Sequence, residues 1–337
     1  MSALATGIGS MPGGGALANE ADNARDFGEA VRVVVGELPD LVHLPELPGR
    51  GAAATMTGRG LAVVSGLGAD LQPAGWRLTD HSGIDHRRAR SLLSQDLDAI
   101  EEQVQDFTGV FKVQVAGPWT LAATVEKPRG DKVLSDHGAR RELAEALAEG
   151  LRDHVADVRR RVPGATEILV QVDEPALPAV LAAQIPTASG WGKHRAVHPP
   201  EASGALEQVM AAIAGAGATP IVHCCAPDVP IALLRGAGAR GISIDLDLLV
   251  PGSYDALAEA VDAGDRVLLG AVPSLAPNPR PTEGSVSERL LRLLDMLGLE
   301  PTDRLVVTPS CGLAGADPAW ARAALELSRK SAANLTS

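Results

Sequence analysis

Eight short apolar runs rich in β-branched residues recur along this chain, with longer amphipathic segments between them, and that alternation constrains the architecture most. The runs are Leu4 to Ser10, Leu41 to Leu44, Val110 to Ala116, Glu167 to Asp173, Thr219 to Cys224, Arg240 to Asp245, Arg266 to Ala271 and Arg304 to Thr308. Alanine and leucine at i, i+3 and i+4 predict a helix over Ala139 to Arg161. Similar patterns predict helices near Asn23 to Leu38, Asp85 to Phe107, Gly204 to Gly215, Tyr254 to Ala263, Ser285 to Leu297 and Pro318 to Lys330. Strand and helix alternating over eight strands read as an α/β fold, a single (β/α)8 TIM barrel, with an open doubly wound sheet as the alternative. No repeat or linker interrupts the pattern, so residues 1–337 are expected to form one domain.

The residues with chemistry favour the closed ring. Gly9-Ser10-Met11-Pro12, His43 to Glu46, Gly117 to Thr120, Asp173-Glu174-Pro175, His223 to Cys225, Asp245 and Ser310-Cys311-Gly312 all fall at or just beyond strand ends. A barrel gathers those ends on the one face where such enzymes build active sites. In Thr219 to Ala226 the strand delivers His223 and Cys225 two residues apart, on the same side, while Cys224 points to the other. An imidazole and a thiolate are half of a tetrahedral metal site. Cys311 and Asp245, at two further strand ends, complete an expected zinc site of His223, Cys225, Asp245 and Cys311 on the C-terminal face.

Composition excludes several other roles. A net charge of −12 and 2% aromatic residues leave little for phosphates to pair with or bases to stack on, so no nucleic acid and no anionic membrane partner is expected. Three cysteines, two of them adjacent, make no disulfide framework and point to a reducing compartment. Met1 to Gly7 lacks the basic and apolar regions of a leader, and no apolar run approaches membrane-spanning length, so a cytoplasmic protein is expected. The glycines of Thr6 to Gly15 are wrongly spaced for a dinucleotide fingerprint. Arg87-Arg88-Ala89-Arg90 reads as a solvated helix face, Lys127 to Lys132 as a polar loop, and Ser189 to Pro200 as an extended loop.

Several of these segments together resemble the catalytic half of cobalamin-independent methionine synthase. That half belongs to a wider group of barrels with uroporphyrinogen decarboxylase and the corrinoid-dependent thiol methyltransferases. Ile8-Gly9-Ser10 resembles the family's Ile-Gly-Ser, Val42-His43 with Glu46 its Val-His-Gly-Glu, and Gln72 to Arg77 a Gln-x-x-Gly-x-Arg segment. Gln171 to Leu177 is similar to Gln-Ile-Asp-Glu-Pro-Ala-Leu, His223-Cys224-Cys225 to His-x-Cys, and Cys311-Gly312-Leu313 to Asp-Cys-Gly-Leu, while Asp245 stands where the family has a glutamate ligand. The resemblance implies a zinc-dependent transfer of a methyl group to a small thiol, homocysteine first, to give methionine. It implies that Ile8, Gly9 and Ser10 hold the substrate carboxylate and that Glu46 and Asp173 hold its ammonium. Arg77 and Trp119 are the donor-binding candidates, and the donor is a methyl-corrinoid, carried by a small partner protein, or methyltetrahydrofolate. A uroporphyrinogen-decarboxylase-like enzyme and a non-catalytic zinc-binding protein are the alternatives.

The chain departs from the family pattern where protonation is needed. The family's general-acid histidine follows the seventh strand, but Ala271 to Pro277 contains none. Transfer from the tertiary amine of methyltetrahydrofolate requires an acid for a poor leaving group. A methyl-cobalt donor does not and is the one this departure favours, unless His194 or His198 folds over the rim and supplies the missing acid for folate.

Overall fold

The computed structural model describes residues 3–335; Met1, Ser2 and residues 336–337, which the expected domain includes, lie outside that range. Eight parallel strands form the central sheet: β1 (Leu4–Ala5), β2 (Leu41–His43), β5 (Gly109–Ala116), β6 (Ala165–Asp173), β7 (Thr219–Cys224), β8 (Gly241–Asp245), β9 (Arg266–Val272) and β10 (Leu305–Pro309). A separate antiparallel hairpin, β3 (Gly68–Gln72) and β4 (Gly75–Thr79), stands between β2 and β5. Neighbours follow chain order around the ring, from β2 through β5 to β10 and on to β1, without the order reversal of a doubly wound sheet. The fold is the expected α/β barrel.

Helices clothe the ring: α1 (Glu20–Glu37), α2 (Met56–Val63), α3 (Ile84–Gln103), α4 (Pro118–Thr124), α5 (His137–Arg161), α6 (Leu177–Leu181), α7 (Pro199–Gly215), α8 (Ile231–Gly236), α9 (Tyr254–Asp262), α10 (Glu283–Leu297) and α11 (Pro318–Asn334). Four of the long ones have side-chain caps that fix where they begin. Asn19, Asp136, Thr282 and Asp317 accept from backbone N–H groups of the first turns of α1, α5, α10 and α11. The short helices α2, α4, α6 and α8 and the hairpin carry too little periodicity to be expected from sequence.

Two-residue alternation fills the barrel in layers. Leu41, Leu169, Ile221, Leu268 and Val306, all fully buried, plug the N-terminal end as a cluster of their own. Two residues further along their strands stand His43, Gln171, His223 and Thr308, joined by Lys112 and Ser243, so the next layer is polar. The opposite parity faces the helices and builds the large outer core.

The ring closes by an irregular route. The expected strand Leu4 to Ser10 keeps ladder geometry only over Leu4–Ala5, because beyond it the backbone bends to meet the segment after β2. Glu46 N–H donates to Gly9 O (3.1 Å) and Met11 N–H to Glu46 O (2.8 Å), with a parallel bridge between Ser10 and Glu46. Closure at the top therefore seats Ile8, Gly9, Ser10 and Glu46 side by side at the barrel mouth. Beneath it the His43 ring accepts from Gly7 N–H (3.3 Å) in the space a side chain at position 7 would need. A Cβ on Gly7 would lie 2.4 Å from His43 Cε1.

Gly7→Ala should therefore lower stability by about 1–3 kcal/mol, the usual cost of overpacking a filled interior. Urea unfolding followed by circular dichroism checks this, and an unchanged midpoint would show that His43 moves aside freely.

Candidate metal centre and pocket

Strand β7 ends by turning His223 inward, and the chain continues so that Cys225 joins it at the mouth; Cys311 arrives from the exit of β10. One ligand atom from each of these three residues lies within 4.8 Å of the others. His223 is 3% exposed, and its Nδ1 lies 2.9 Å from Ser243 Oγ on β8, which fixes the ring. Its Nε2 is buried and makes no hydrogen bond. A buried ring nitrogen without a partner, beside two thiols, is what a metal-binding histidine presents once its other nitrogen is anchored.

The two sulfurs, Cys225 Sγ and Cys311 Sγ, are 3.0 Å apart. At that separation they share a proton, which pulls the Cys311 thiol down to about 4, with His223 nearby adding to the effect, and pushes Cys225 up. Cys224 faces the outer core at 1% exposure, and burial pushes its thiol up to about 12. Asp245 ends the neighbouring strand, but its carboxylate accepts from Asp247 N–H (2.9 Å), and it stands apart from the three clustered ligand atoms. The structure thus brings together three of the four expected ligands.

Beside the cluster opens a cavity of about 260 Å3. Ile8, Gly9, Ser10, Glu46 and Asp173 line it together with His223, Cys225 and Cys311, and Pro48 and Met56 add apolar wall. Every substrate-binding residue expected from the sequence reaches this one space. Gly312 lies so close under Ser10 Oγ that a Cβ there would overlap it, and Leu313 N–H donates to Ser10 O (2.8 Å). That contact knits the β10 exit to the Ile8 to Ser10 segment. Two larger cavities, of about 370 Å3 by Trp119 and Arg140 and about 320 Å3 by Phe27 and Arg50, lie among the outer helices and contain none of these strand-end residues.

The layer beneath the pocket is charged and was not legible in the sequence as a site. Lys112, fully buried, donates to Ile8 O and to Gln171 Oε1, each at 2.8 Å. Gln171 Nε2 donates to Ile8 O (2.9 Å) and to Asp173 Oδ1 (2.7 Å). Burial pushes the Asp173 carboxyl up and the Lys112 ammonium down, both to about 7. A lysine at an inward position of an apolar strand was the available signal for this layer. Arg59 and Gln114, which hold Glu46, lacked even that.

Asp173 and Glu174 divide two tasks. Asp173 faces the pocket, whereas Glu174 accepts from Trp119 N–H (2.9 Å), Thr120 N–H (2.8 Å) and Thr120 Oγ1 (2.9 Å) and so caps α4. The donor-binding candidates stand elsewhere. Arg77, on the hairpin, pairs with Glu126 (2.6 Å), and Trp119 is buried with its indole N–H donating to Ala202 O (3.0 Å). His194 packs 3.2 Å from Asp131, and His198 is the exposed residue preceding α7; neither lines the pocket.

These features meet a sequence match. Residues 103–334, more than half of the chain, match the family described as cobalamin-independent synthase, catalytic domain. The class defined by the barrel and its strand-end residues is thus an enzyme class, and the chain belongs to the cobalamin-independent synthase catalytic-domain family. In fold it is similar to a B12-independent methionine synthase from Shewanella sp. W3-18-1 in complex with selenomethionine, at TM-score 0.66 and 15% identity, covering 100% of this chain and 98% of that one. A methylaspartate ammonia lyase mutant from Clostridium tetanomorphum gives TM-score 0.43 at 12% identity over 98% of this chain and 59% of its own. No curated relative matches the sequence. Among the described residues no helix is long and apolar enough to cross a membrane.

The Glu174 clamp generates a pH prediction. Burial raises this carboxyl from 4.5 to about 7, so the folded state holds its proton more tightly than the unfolded chain. The parent then loses stability as pH rises from about 4.5 to 7, and Glu174→Gln does not. Urea midpoints at pH 5 and 7.5 should show the difference between the two proteins moving in favour of the glutamine variant as pH rises. A parallel pH dependence would contradict the assignment.

Proposed function

We propose that this chain is a single catalytic barrel domain that transfers a methyl group to the sulfur of a small amino-acid thiol, homocysteine, giving methionine. His223, Cys225 and Cys311 would hold a zinc ion, with Asp245 the candidate fourth ligand from the adjacent strand. The observation that carries this reading is the unpartnered, buried His223 Nε2 beside two thiols at the wall of a pocket lined by Glu46 and Asp173. The donor set of one imidazole and two thiolates suits zinc. A zinc ion held there would supply acidification of the substrate thiol, so that sulfur attacks as the thiolate at neutral pH.

The protein's own groups do the rest. Glu46 and Asp173 receive the substrate ammonium, and Ser10 with the Ile8-Gly9 backbone receives its carboxylate. Lys112 and Gln171 hold Ile8 O from below and keep that segment in place. Pro48 and Met56 give the methylene chain and the transferred methyl an apolar wall. No arginine or lysine lines the pocket, the reverse of what a polycarboxylate substrate needs, so the decarboxylase alternative finds no support here.

The donor is a methyl-corrinoid or methyltetrahydrofolate. No histidine besides His223 lines the pocket, and the loop after β9 contains none, which favours a donor that departs without a proton.

Two measurements follow. By metal analysis the parent should carry about one zinc per chain. Cys225→Ser and Cys311→Ser should lose most of it, Cys224→Ala should keep it, and Asp245→Ala should bind about 10-fold less tightly. Full zinc in both serine variants would sink the ligand assignment. With homocysteine as acceptor, methylcobalamin should outpace methyltetrahydrofolate by about 10²-fold or more. Brisk folate-dependent methylation that is lost in His194→Ala or His198→Ala would overturn the reading of the donor.

A further inference from the structure

Behind the pocket a chain of buried charges runs outward from Glu46. Arg59 Nε lies 3.0 Å from Glu46 Oε1, Arg59 Nη1 donates to Asp96 Oδ2 (2.5 Å), and Arg50 grips both oxygens of Asp96 at 2.7 and 2.8 Å. The Arg59, Asp96 and Arg50 side chains are 4% exposed or less. Four charges of alternating sign are thus paired in sequence out of water, where an unpaired partner would be costly. Arg50 ends the series over the Phe27 ring, 4.8 Å from its centroid.

The two oxygens of Glu46 differ as a result. Oε1 is shared by Arg59 and by Gln114 Nε2 (3.0 Å), which itself is anchored on Leu44 O (2.7 Å). Oε2 has no partner among the described residues and is not among the buried unsatisfied atoms, while Glu46 lines the pocket. With one oxygen held from behind by an ion pair to Arg59 and a hydrogen bond from Gln114, the carboxylate is restrained about its last torsion, and the other oxygen is presented to whatever binds.

We infer that Arg59 is a positioning residue for substrate selection: by fixing Glu46 Oε1 it aims Oε2 at the ammonium of an α-amino thiol acid and makes the pocket discriminate against thiol acids lacking that amine. The inference rests on the proposed role of Glu46 as ammonium receptor. A lysine at position 59 keeps the charge but offers one point donor in place of a planar fork, so it cannot serve Glu46 and Asp96 with the same geometry.

The test compares binding of homocysteine and its desamino analogue, the same thiol acid without the amine, by isothermal titration to zinc-loaded parent and Arg59→Lys. The parent should prefer homocysteine. In Arg59→Lys that preference should fall by about 10-fold or more, roughly what misaligning the Glu46 oxygen that receives the ammonium costs. Zinc content and affinity for the desamino analogue should be unchanged, which a general loosening of the fold would not spare. Gln114→Leu frees the same oxygen without unpairing a charge, and reads the same geometry should Arg59→Lys fail to fold. A parent that does not distinguish the two thiols overturns the role of Glu46 itself. A parent that does, with the preference intact in folded Arg59→Lys, or in Gln114→Leu where the former does not fold, overturns the inference about Arg59.

Discussion

Inside a ring of eight parallel strands, every second side chain must point inward toward the barrel axis, and that constraint orders the whole molecule. Position along a strand becomes depth in the barrel. On β7 the inward series is Ile221, then His223, with Cys225 just past the strand end, and it runs from dry plug to polar layer to mouth. On β6 the inward series Leu169, Gln171, Asp173 does the same. Register makes the levels match around the ring: Asp173 pairs with His223, and His223 with Ser243. The imidazole, its anchor and the Asp173 carboxylate therefore stand at one height without any loop having to place them.

Polar groups buried at that depth need partners, and the way they find them turns an interior into a site. Lys112, Gln171 and Asp173 satisfy one another and pin Ile8 O. Glu46 is satisfied on one side only, through Arg59 and Gln114. His223 is satisfied at Nδ1 and left open at Nε2. His223, Cys225, Cys311 and Glu46, which carry open Nε2, Sγ and Oε2 atoms, all line a single cavity.

What the sequence made legible followed from this same periodicity. Apolar runs and their ends identified the barrel, and same-face spacing alone separated Cys225 from Cys224. The long capped helices were visible because they repeat over several turns. The short helices, the hairpin around Pro73-Ala74 and the bend that replaces the latter half of the first strand were not, since their geometry is set by contacts with distant residues such as Glu46 and Glu126. Arg59 and Asp96 illustrate the limit most directly: one lies on a short helix and the other mid-helix in α3, and only the folded chain shows them joined behind Glu46. Trp119 and Arg77, the donor-binding candidates, bond to Ala202 O and Glu126 respectively.

The central claim is that His223, Cys225 and Cys311 form a metal centre with room for a substrate sulfur. X-ray absorption at the zinc edge tests it without reference to any methyl donor. The zinc-loaded protein should show two sulfur scatterers at about 2.3 Å together with nitrogen or oxygen near 2.0–2.1 Å. Adding homocysteine should raise the sulfur count to three. A first shell lacking sulfur, or a sulfur count unmoved by saturating homocysteine, would contradict the account.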